Sequence, residues 1–162
     1  MNAPVKIAAQ DWQPSSPTVR RMTADDFDEI IGWAKQSYDD FDVESSLRWA
    51  AWAVAHPDRV ISLRGNDTWA AATLETAFWA PSRIRAMMLL WCSNHANKKR
   101  SVREPLVVMR ELVNWAEASG AKSFWIQGIA GTDLSPLARF LKAREAGEIY
   151  VIPLGGVDYI YG

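Results

Sequence analysis

The stretch Arg83-Ile-Arg-Ala-Met-Met-Leu-Leu-Trp-Cys92 decides the class of fold. It is almost continuously apolar from Ala86 onward, which is typical of a strand that is covered on both faces of its sheet. A long helix with Gly120 at its end is predicted next, and its apolar positions are Leu106, Met109, Leu112, Val113 and Ala116. Residues 123–129 then predict a second buried strand. A strand, a long helix and another strand in this order predict an α/β domain.

The residues before this unit predict antiparallel strands. Residues 59–64 alternate between apolar and polar side chains, and residues 68–76 predict the returning strand of a hairpin. Gly65-Asn66-Asp67 between them is typical of a tight turn. A further short strand is predicted over 18–22.

Two amphipathic helices are predicted between the first strand and the hairpin. The first spans about 24–37, and the second spans about 43–55 with Asp42 as its cap. The second helix has an apolar stripe, formed by Val43, Leu47, Ala50, Ala51 and Val54. Trp49 and Trp52 lie beside this stripe, so we expect them to face a partner or a cleft.

The C-terminal part predicts a shorter helix near Pro136, followed by strands over 148–154 and 157–161. The complete order is therefore β-α-α-β-β-β-α-β-α-β-β. No internal repeat and no low-complexity tract interrupts it.

The composition of the 162-residue chain is that of an ordinary globular protein. Hydrophobic residues make up 49% of the chain and charged residues 23%. The chain has 18 basic and 19 acidic residues, so its formal net charge is −1. These values predict one folded cytoplasmic domain and disfavour a disordered chain, a basic nucleic-acid binder and a membrane protein. The single cysteine and two distant histidines offer neither an internal disulfide nor metal-ligand spacing, so no metal is expected.

Residues 1–17 contain three prolines and no periodic pattern, so they predict an extended, flexible arm before a domain over 18–162. Trp12 is the expected anchor of this arm, because burying an indole ring gives a large apolar gain. The arm can be ordered by the same chain's sheet surface, by a second subunit or by a larger assembly. We expect Trp12 to be buried against another chain rather than its own, and exposed tryptophans to extend this surface for a protein partner, a homo-oligomer or a larger assembly. Deleting residues 1–16 should then reduce association and leave the melting temperature nearly unchanged.

The element order over residues 18–161 resembles that of the GNAT superfamily of acyl-CoA N-acyltransferases. Val19-Arg-Arg-Met-Thr-Ala-Asp-Asp26 is similar to the family's first strand and helix start. Asn114-Trp-Ala-Glu-Ala-Ser-Gly-Ala-Lys122 is similar to its third helix turning into the fifth strand, and Ala138-Arg-Phe-Leu-Lys142 with Ala146-Gly147 is similar to its fourth helix and the corner after it. The resemblance implies a single α/β domain with a twisted mixed sheet and helices on both faces. Small GNAT-like proteins of this type are also frequent in tailed phages.

The resemblance implies a site for acetyl-CoA or another acyl-CoA between the fourth and fifth strands. In the family, a bulge in the fourth strand offers a backbone N–H to the thioester carbonyl, and Leu89-Leu90-Trp91-Cys92 is the matching segment. The following loop of the family reads Arg/Gln-x-x-Gly-x-Gly/Ala and holds the CoA pyrophosphate at a helix N-terminus. The matching residues are Lys98, Lys99, Arg100, Ser101, Val102 and Arg103, so Ser101 and Arg103 replace the two small positions.

Two interpretations of this loop remain open. In the first, its four cations neutralise the phosphates of CoA, and Arg103 forms a fork with one of them. In the second, the loop is a solvated basic turn in which Ser101 and Glu104 form a capping box that satisfies the helix N–H groups. Pro105 removes a further N–H from the start of the helix.

The groups that the family uses for proton transfer are replaced. The family often has a Glu near the fourth strand and a Tyr on the fourth helix, but residues 86–92 contain no carboxylate and the helix position holds Phe140 or Leu141. Acyl transfer needs a base for the amine and an acid for the thiolate, and the substitutes in this chain are Glu75, His95 and Tyr150. Cys92 is a poor nucleophile, because an apolar strand raises the pKa of a thiol.

Two hypotheses of function follow. The first is an N-acyltransferase that moves an acyl group from acyl-CoA to an amine of unknown identity. The second is a non-catalytic GNAT-fold module that binds a protein partner through the arm and exposed tryptophans, for example as a component of a phage particle. Binding of nucleic acid by the basic loop is disfavoured, because four cations on a neutral chain give a weak electrostatic footprint.

Overall fold

The computed structural model of the protein describes residues 9–38, 41–77, 80–97, 99, 103–126 and 134–143. The compact unit Met1–Ile126 contains the sheet and the first three helices, and the unit Gln127–Gly162 contains the helix α4 (Ser135–Leu141). The strands predicted over 148–154 and 157–161 lie outside the described residues. No helix in the described part of the chain is long and apolar enough to cross a membrane.

A five-stranded mixed sheet forms the centre of the first unit. Its strands lie in chain order: β1 (Arg20–Arg21), β2 (Val60–Arg64), β3 (Thr68–Ala77), β4 (Ala80–Ser93) and β5 (Phe124–Trp125). Neighbouring strands from β1 to β4 are antiparallel, whereas β4 and β5 are parallel. The predicted hairpin of β2 and β3 is therefore confirmed.

The helices of the first unit begin close to their predicted positions. A 3₁₀ turn at Ala24–Asp26 leads into α1 (Phe27–Ser37), and α2 (Val43–Ala55) and α3 (Glu104–Ala118) follow. Gly120 has a φ of 84° after α3, which is a conformation that suits glycine at a helix end.

The apolar stripe predicted for α2 is partly wrong. Ala50 and Ala53 are the buried residues of this helix, whereas Ala51 is exposed and Val54 is 40% exposed. The buried face is therefore rotated from the predicted one: its fully buried residues are alanines, and the half-buried Trp49 packs against the same cluster.

The two faces of the sheet are covered by different helices. Trp69 and Cys92 pack in one buried cluster with Ile30 of α1. Because successive side chains of a strand point to opposite faces, Ala70 and Ala72 point to the other face, where α3 packs on β3. The predicted α/β domain with a mixed sheet and helices on both faces is therefore confirmed.

Strand β4 contains a bulge in its middle. Ala71 of β3 pairs with Leu90, but the next residue, Ala72, pairs with Met88, so Leu89 is an extra residue in β4. The pairing of β4 with β5 ends one residue before the bulge region, at Met87 and Trp125, within the described residues. The bulge that the resemblance implies lies at the first residue of the matching segment, Leu89.

A buried carboxylate connects β1, the start of α1 and β2. Asp26 is 4% exposed and accepts hydrogen bonds from Arg20 at 2.6 and 2.7 Å, from Arg64 at 2.7 Å and from the Thr23 N–H at 2.8 Å. Burial alone would raise the pKa of Asp26, but these donors outweigh it and hold the pKa well below its usual range. Arg64 also donates to Glu29 at 2.6 Å, so two acids and two guanidinium groups form one network.

Residues 9–17 are attached to the first unit instead of forming a free arm. The Arg21 guanidinium donates to the carbonyls of Ala9 and Trp12 at 2.7 and 2.9 Å, and the Ser15 N–H and hydroxyl donate to Glu111 of α3 at 3.1 and 2.7 Å. Trp12 is 7% exposed. The prediction that Trp12 is buried is confirmed, but the expectation that a second chain covers it is wrong, because its own chain already does so.

Candidate functional site

A cavity of about 420 Å³ opens between α1, α2 and the bulged part of β4. Its volume lies in the range of small-molecule sites. The segment between the two helices contributes to its wall, together with β3 and the end of β1. The lining residues are Met22, Phe27, Ile30, Ile31, Tyr38, Phe41, Asp42, Ser45, Ser46, Trp49, Ala50, Trp69, Leu89 and Leu90.

The bulge lies in the wall of this cavity. In a regular strand, two successive side chains point to opposite faces, but both Leu89 and Leu90 line the cavity. The extra residue interrupts the hydrogen-bond ladder of β4 at this point. The Tyr38 hydroxyl donates to the Trp91 carbonyl at 2.9 Å and so fixes the end of α1 next to the bulge. Burial raises the pKa of Tyr38, which keeps this donor protonated.

Aromatic rings dominate one wall of the cavity. Trp49 of α2 and Trp69 of β3 meet edge to face, with ring centroids 6.4 Å apart and an interplanar angle of 63°. Trp69 is 5% exposed, and its Nε1 is buried without a hydrogen-bond partner in the described part of the chain. A buried N–H without an acceptor costs about 1–3 kcal/mol, so this indole is an unusual feature of the wall.

Among the described residues that line the cavity, Asp42 is the charged one. Its carboxylate accepts hydrogen bonds from the Ser45 N–H at 3.1 Å and from the Ser45 hydroxyl at 2.8 Å, as expected for the cap of α2. These hydrogen bonds lower the pKa of Asp42, so the group is ionised at neutral pH. No Lys, Arg or His is among the described residues that line the cavity.

The three residues predicted for proton transfer are not brought together among the described residues. Glu75 lies on the cavity face of the sheet but four residues along β3 from Ala71, which is about 13 Å. Its carboxylate pairs with Arg85 at 2.9 Å. His95 lies in the exposed turn after β4, and Tyr150 is outside the described residues.

The strand residues predicted at the acyl-CoA site have different environments. Leu90 lines the cavity, and Trp91 offers its carbonyl to Tyr38. Cys92 is buried in the core, and burial raises the pKa of its thiol to about 12. The poor nucleophilicity expected for Cys92 agrees with this environment.

The start of α3 differs from the capping box predicted for Ser101 and Glu104. Glu104 is the first residue of the helix, Arg103 is its cap without a side-chain hydrogen bond, and the Glu104 carboxylate accepts from the Asp67 N–H at 2.7 Å. A Cβ added to Gly65 would lie 2.5 Å from Glu104 Oε1, so the turn between β2 and β3 approaches this carboxylate closely. Glu104 therefore reaches across to the turn between β2 and β3, whereas Ser101, the other residue of the predicted capping box, lies outside the described residues.

The rest of the basic loop can be placed only in part. Lys99 and Arg103 are exposed at its two ends, and the Lys99 N–H donates to Asn97 Oδ1 at 3.0 Å. Lys98, Arg100, Ser101 and Val102 lie outside the described residues. Within the described ranges, no three His, Cys, Asp or Glu side chains come together as a metal site.

The sequence predicts only part of the cavity, namely Trp49 at a cleft and Leu89 and Leu90 at the acyl-CoA site. Tyr38 and Phe41 lie in the segment between α1 and α2, whereas Trp69 lies on β3. The aromatic residues before α2 are a signal for the first two, but no local pattern indicates Trp69.

Comparison with known proteins gives a likeness at the level of structure. The sequence matches no protein-family model, and no curated protein sequence is significantly similar to it. Aminoglycoside 6'-N-acetyltransferase AAC(6')-IG from Acinetobacter haemolyticus is similar in structure, with a TM-score of 0.65 at 10% identity over 83% of this chain and 96% of that chain. Aminoglycoside N-acetyltransferase AAC(6')-Iy, solved in complex with CoA, has a TM-score of 0.67 at 12% identity, over 83% of this chain and 92% of that chain. Glucosamine-6-phosphate N-acetyltransferase from Arabidopsis thaliana has a TM-score of 0.67 at 8% identity, over 84% of this chain and 97% of that chain.

These comparisons, together with the sheet order and the bulge, define the class of fold. The chain adopts the GNAT fold, which it shares with these N-acetyltransferases. At identities of 8–12%, the likeness concerns the fold alone.

Proposed function

We propose that this protein is an N-acyltransferase that moves an acyl group from acyl-CoA to an amine. The observation that carries the proposal is that Leu89 and Leu90 belong both to the bulge of β4 and to the wall of the 420 Å³ cavity. The interrupted strand, which can bind the thioester carbonyl oxygen, therefore lies in the wall of a cavity that can hold the acceptor amine. In the transfer, the neutral amine nitrogen forms a bond to the acyl carbon, the carbon–sulfur bond breaks, and the proton lost by nitrogen goes to the thiolate or to solvent.

The residues around the bulge fit the thioester end of acyl-CoA. A backbone N–H that is released from the ladder at the bulge can donate to the carbonyl oxygen and stabilise negative charge on it in the transition state. Acyl-CoA would supply the activated acyl group. The chain itself would supply the oxyanion donor, orient the acceptor and exclude water through its apolar walls.

The pyrophosphate end fits side chains better than it fits the helix N-terminus. The Glu104 carboxylate occupies the first turn of α3, and Pro105 has no N–H to offer. We propose that Lys98, Lys99, Arg100 and Arg103 neutralise the phosphates, with Ser101 and Val102 as the backbone between them. This arrangement depends on charge, whereas a glycine loop depends on backbone amides.

Proton transfer remains a proposal for His95, Glu75 and Tyr150. An imidazole can serve as a general base for an amine, and His95 lies two residues beyond the strand that carries the bulge. Glu75 shares the cavity face of the sheet, but its ion pair with Arg85 makes it the weaker choice.

The experiment is a thermal-shift titration with acetyl-CoA and with S-acetylpantetheine, which lacks the pyrophosphate. Acetyl-CoA at 100 times its Kd should stabilise the protein by about 2.7 kcal/mol. Replacing Lys99 and Arg103 with Ala should weaken acetyl-CoA more than S-acetylpantetheine, and a Lys35→Ala, Arg59→Ala variant with the same change in charge is the control. No shift at millimolar acetyl-CoA would contradict the proposed function.

A second candidate is a non-catalytic module on the same fold, including a component of a phage particle. It is favoured by one observation, the carboxylate of Glu104 in the first turn of α3, where the fold's anion site would lie. A protein that gives no thermal shift with acetyl-CoA, CoA or S-acetylpantetheine would support this candidate.

A further inference from the structure

We propose that Asp67 is a positioning residue for the basic loop, because it connects Lys99 and Arg103, at the two ends of that loop, to the turn between β2 and β3. By fixing the backbone next to these two cations, Asp67 raises the affinity of the loop for the phosphates of acyl-CoA. This inference rests on the proposed function for the identity of the ligand. The connection between the turn and the loop is a separate statement about the chain itself.

The carboxylate of Asp67 binds the residues that precede the loop. Its Oδ1 accepts a hydrogen bond from Asn94 Nδ2 at 3.0 Å, and its Oδ2 accepts one from Asn97 Nδ2 at 2.8 Å. Its carbonyl accepts a further one from the Asn94 N–H at 2.8 Å. Asn97 Oδ1 in turn accepts from the Lys99 N–H at 3.0 Å. The backbone of Lys99 is therefore connected to Asp67 through a single side chain.

The backbone of Asp67 binds the residue that follows the loop. Its N–H donates to Glu104 Oε1 at 2.7 Å, and Glu104 directly follows Arg103. Gly65 lies against the same carboxylate, since a Cβ added to it would be 2.5 Å from Oε1 and 2.9 Å from Cγ of Glu104. This carboxylate therefore has little room to shift between the turn and the start of α3.

The turn is a firm support for both ends of the loop. The Gly65 N–H closes it by donating to the Thr68 carbonyl at 2.8 Å, and the adjacent Leu63 and Thr68 are buried. Aspartate is common in turns because its carboxylate can accept from N–H groups of its own turn. Both carboxylate oxygens of Asp67 instead accept from side chains 27 and 30 residues away. Its side chain therefore does more than shape the turn.

The amide groups around Asp67 have a fixed orientation. Asn94 Oδ1 accepts from the Ala96 N–H at 3.1 Å. Asn97 Oδ1 is occupied in the same way by the Lys99 N–H. Each amide therefore directs its Nδ2 toward Asp67, and an ionised carboxylate, which accepts at both oxygens, suits these two donors. Asparagine at position 67 would offer one oxygen and one NH₂ group, so one of the two hydrogen bonds would be lost.

Asp67→Asn separates positioning from simple electrostatics. The Asp67 carboxylate is a negative charge close to a loop that is proposed to bind anions, so its removal would strengthen phosphate binding if charge alone mattered. Loss of a hydrogen bond to Asn97 or Asn94 would instead leave the start of the loop less ordered, and ordering it on binding costs affinity. Charge and positioning therefore predict changes of opposite sign.

The test is isothermal titration calorimetry of the full chain with acetyl-CoA and with S-acetylpantetheine. Asp67→Asn should weaken acetyl-CoA about 2- to 10-fold, the range expected for one hydrogen bond, and leave S-acetylpantetheine unchanged. The double variant Asp67→Asn, Asn97→Asp exchanges the amide and the carboxylate, so it restores each hydrogen bond and the net charge and should restore the wild-type affinity. Asp58→Asn, which removes an exposed carboxylate before the start of β2, is the control and should leave both probes unchanged.

Backbone ¹⁵N relaxation of the ligand-free protein tests the connection on its own. The order parameter of the Lys99 N–H should fall in Asp67→Asn, recover in the double variant and stay unchanged in Asp58→Asn. If Asp67→Asn does not fold, Asn97→Ala takes its place in both measurements, because it removes only the side chain between Asp67 and Lys99.

The two measurements separate this inference from the proposed function. Acetyl-CoA affinity in Asp67→Asn that equals or exceeds that of wild type, or equal weakening of both probes, would overturn the inference and leave the proposed function in place. An unchanged order parameter of Lys99 would overturn it whether or not acetyl-CoA binds. A wild-type protein that binds no acetyl-CoA would contradict the proposed function, and the relaxation comparison would still decide whether Asp67 holds the loop.

Discussion

Replacing Asp26 with Asn should destabilise the protein far more than the loss of a surface ion pair. The carboxylate accepts hydrogen bonds from the guanidinium groups of Arg20 and Arg64 and from the N–H and hydroxyl of Thr23, and the Arg64 side chain is mostly buried. Removing one partner of a buried pair leaves the other charges uncompensated, which costs about 3–5 kcal/mol. Because Arg20 is half exposed, we expect the lower end, about 3 kcal/mol, or a melting temperature about 6–12 °C lower.

The pH dependence of the same variant provides an independent check. The pKa of Asp26 is lowered in the folded state, so its contribution is complete above the ordinary carboxyl pKa and is lost as the pH falls toward the folded-state value. The free energies of unfolding of wild type and Asp26→Asn, measured by urea titration, should therefore differ by a constant amount at neutral pH and converge below about pH 4. A difference under 1 kcal/mol at pH 7, or one that does not change with acid, would refute this account of the network.

Three further predictions concern single sites. Gly65→Ala should lower the free energy of unfolding by about 1 kcal/mol, because its Cβ would displace the Glu104 carboxylate. Gly32→Ala, which has open space around it in α1, should raise the free energy of unfolding by about 0.5–1 kcal/mol. Urea titration measures both changes. Cys92 should react with a disulfide reagent at pH 8 only as fast as the protein unfolds, since burial raises the pKa of its thiol to about 12; rapid labelling of the native protein would contradict its burial. Trp12→Ala should lower the free energy of unfolding, measured by calorimetry, by about 3 kcal/mol, and sedimentation should show an unchanged oligomeric state. Unchanged stability together with reduced association would instead support the expectation that a second chain covers Trp12.

Local patterns predicted the elements whose limits are set by neighbouring residues. The limits of α2 follow from the Asp42 cap at one end and Pro57 beyond the other, and both signals lie within a few residues of the helix. The hairpin of β2 and β3 follows from the Gly65-Asn66-Asp67 turn in the same way. These parts of the GNAT fold could therefore be read from the sequence.

The errors arise where a residue interacts with a distant part of the chain. The local pattern places Glu104 at its own helix start, but its carboxylate accepts a hydrogen bond from the Asp67 N–H, 37 residues away. Trp12 was assigned to another chain, although Arg21 and Glu111 hold its segment in place. The cavity combines Met22 after β1 with side chains of α1, α2, β3 and β4, so no single sequence pattern contains it.

The bulge of β4 also has a consequence for how the sequence of this protein can vary. Ala86 and Met88, before Leu89, share the α3 face of the sheet with their partners on β3, whereas Leu90 and Cys92, after it, pack on the α1 face, because the extra residue reverses the alternation. Leu89 itself is 37% exposed, so many side chains would be tolerated at this position. Deleting Leu89, however, would reverse the alternation of side chains in the second half of the strand. The Cys92 side chain would then point away from the face that packs on α1. The fold therefore tolerates substitution of Leu89 but not its deletion.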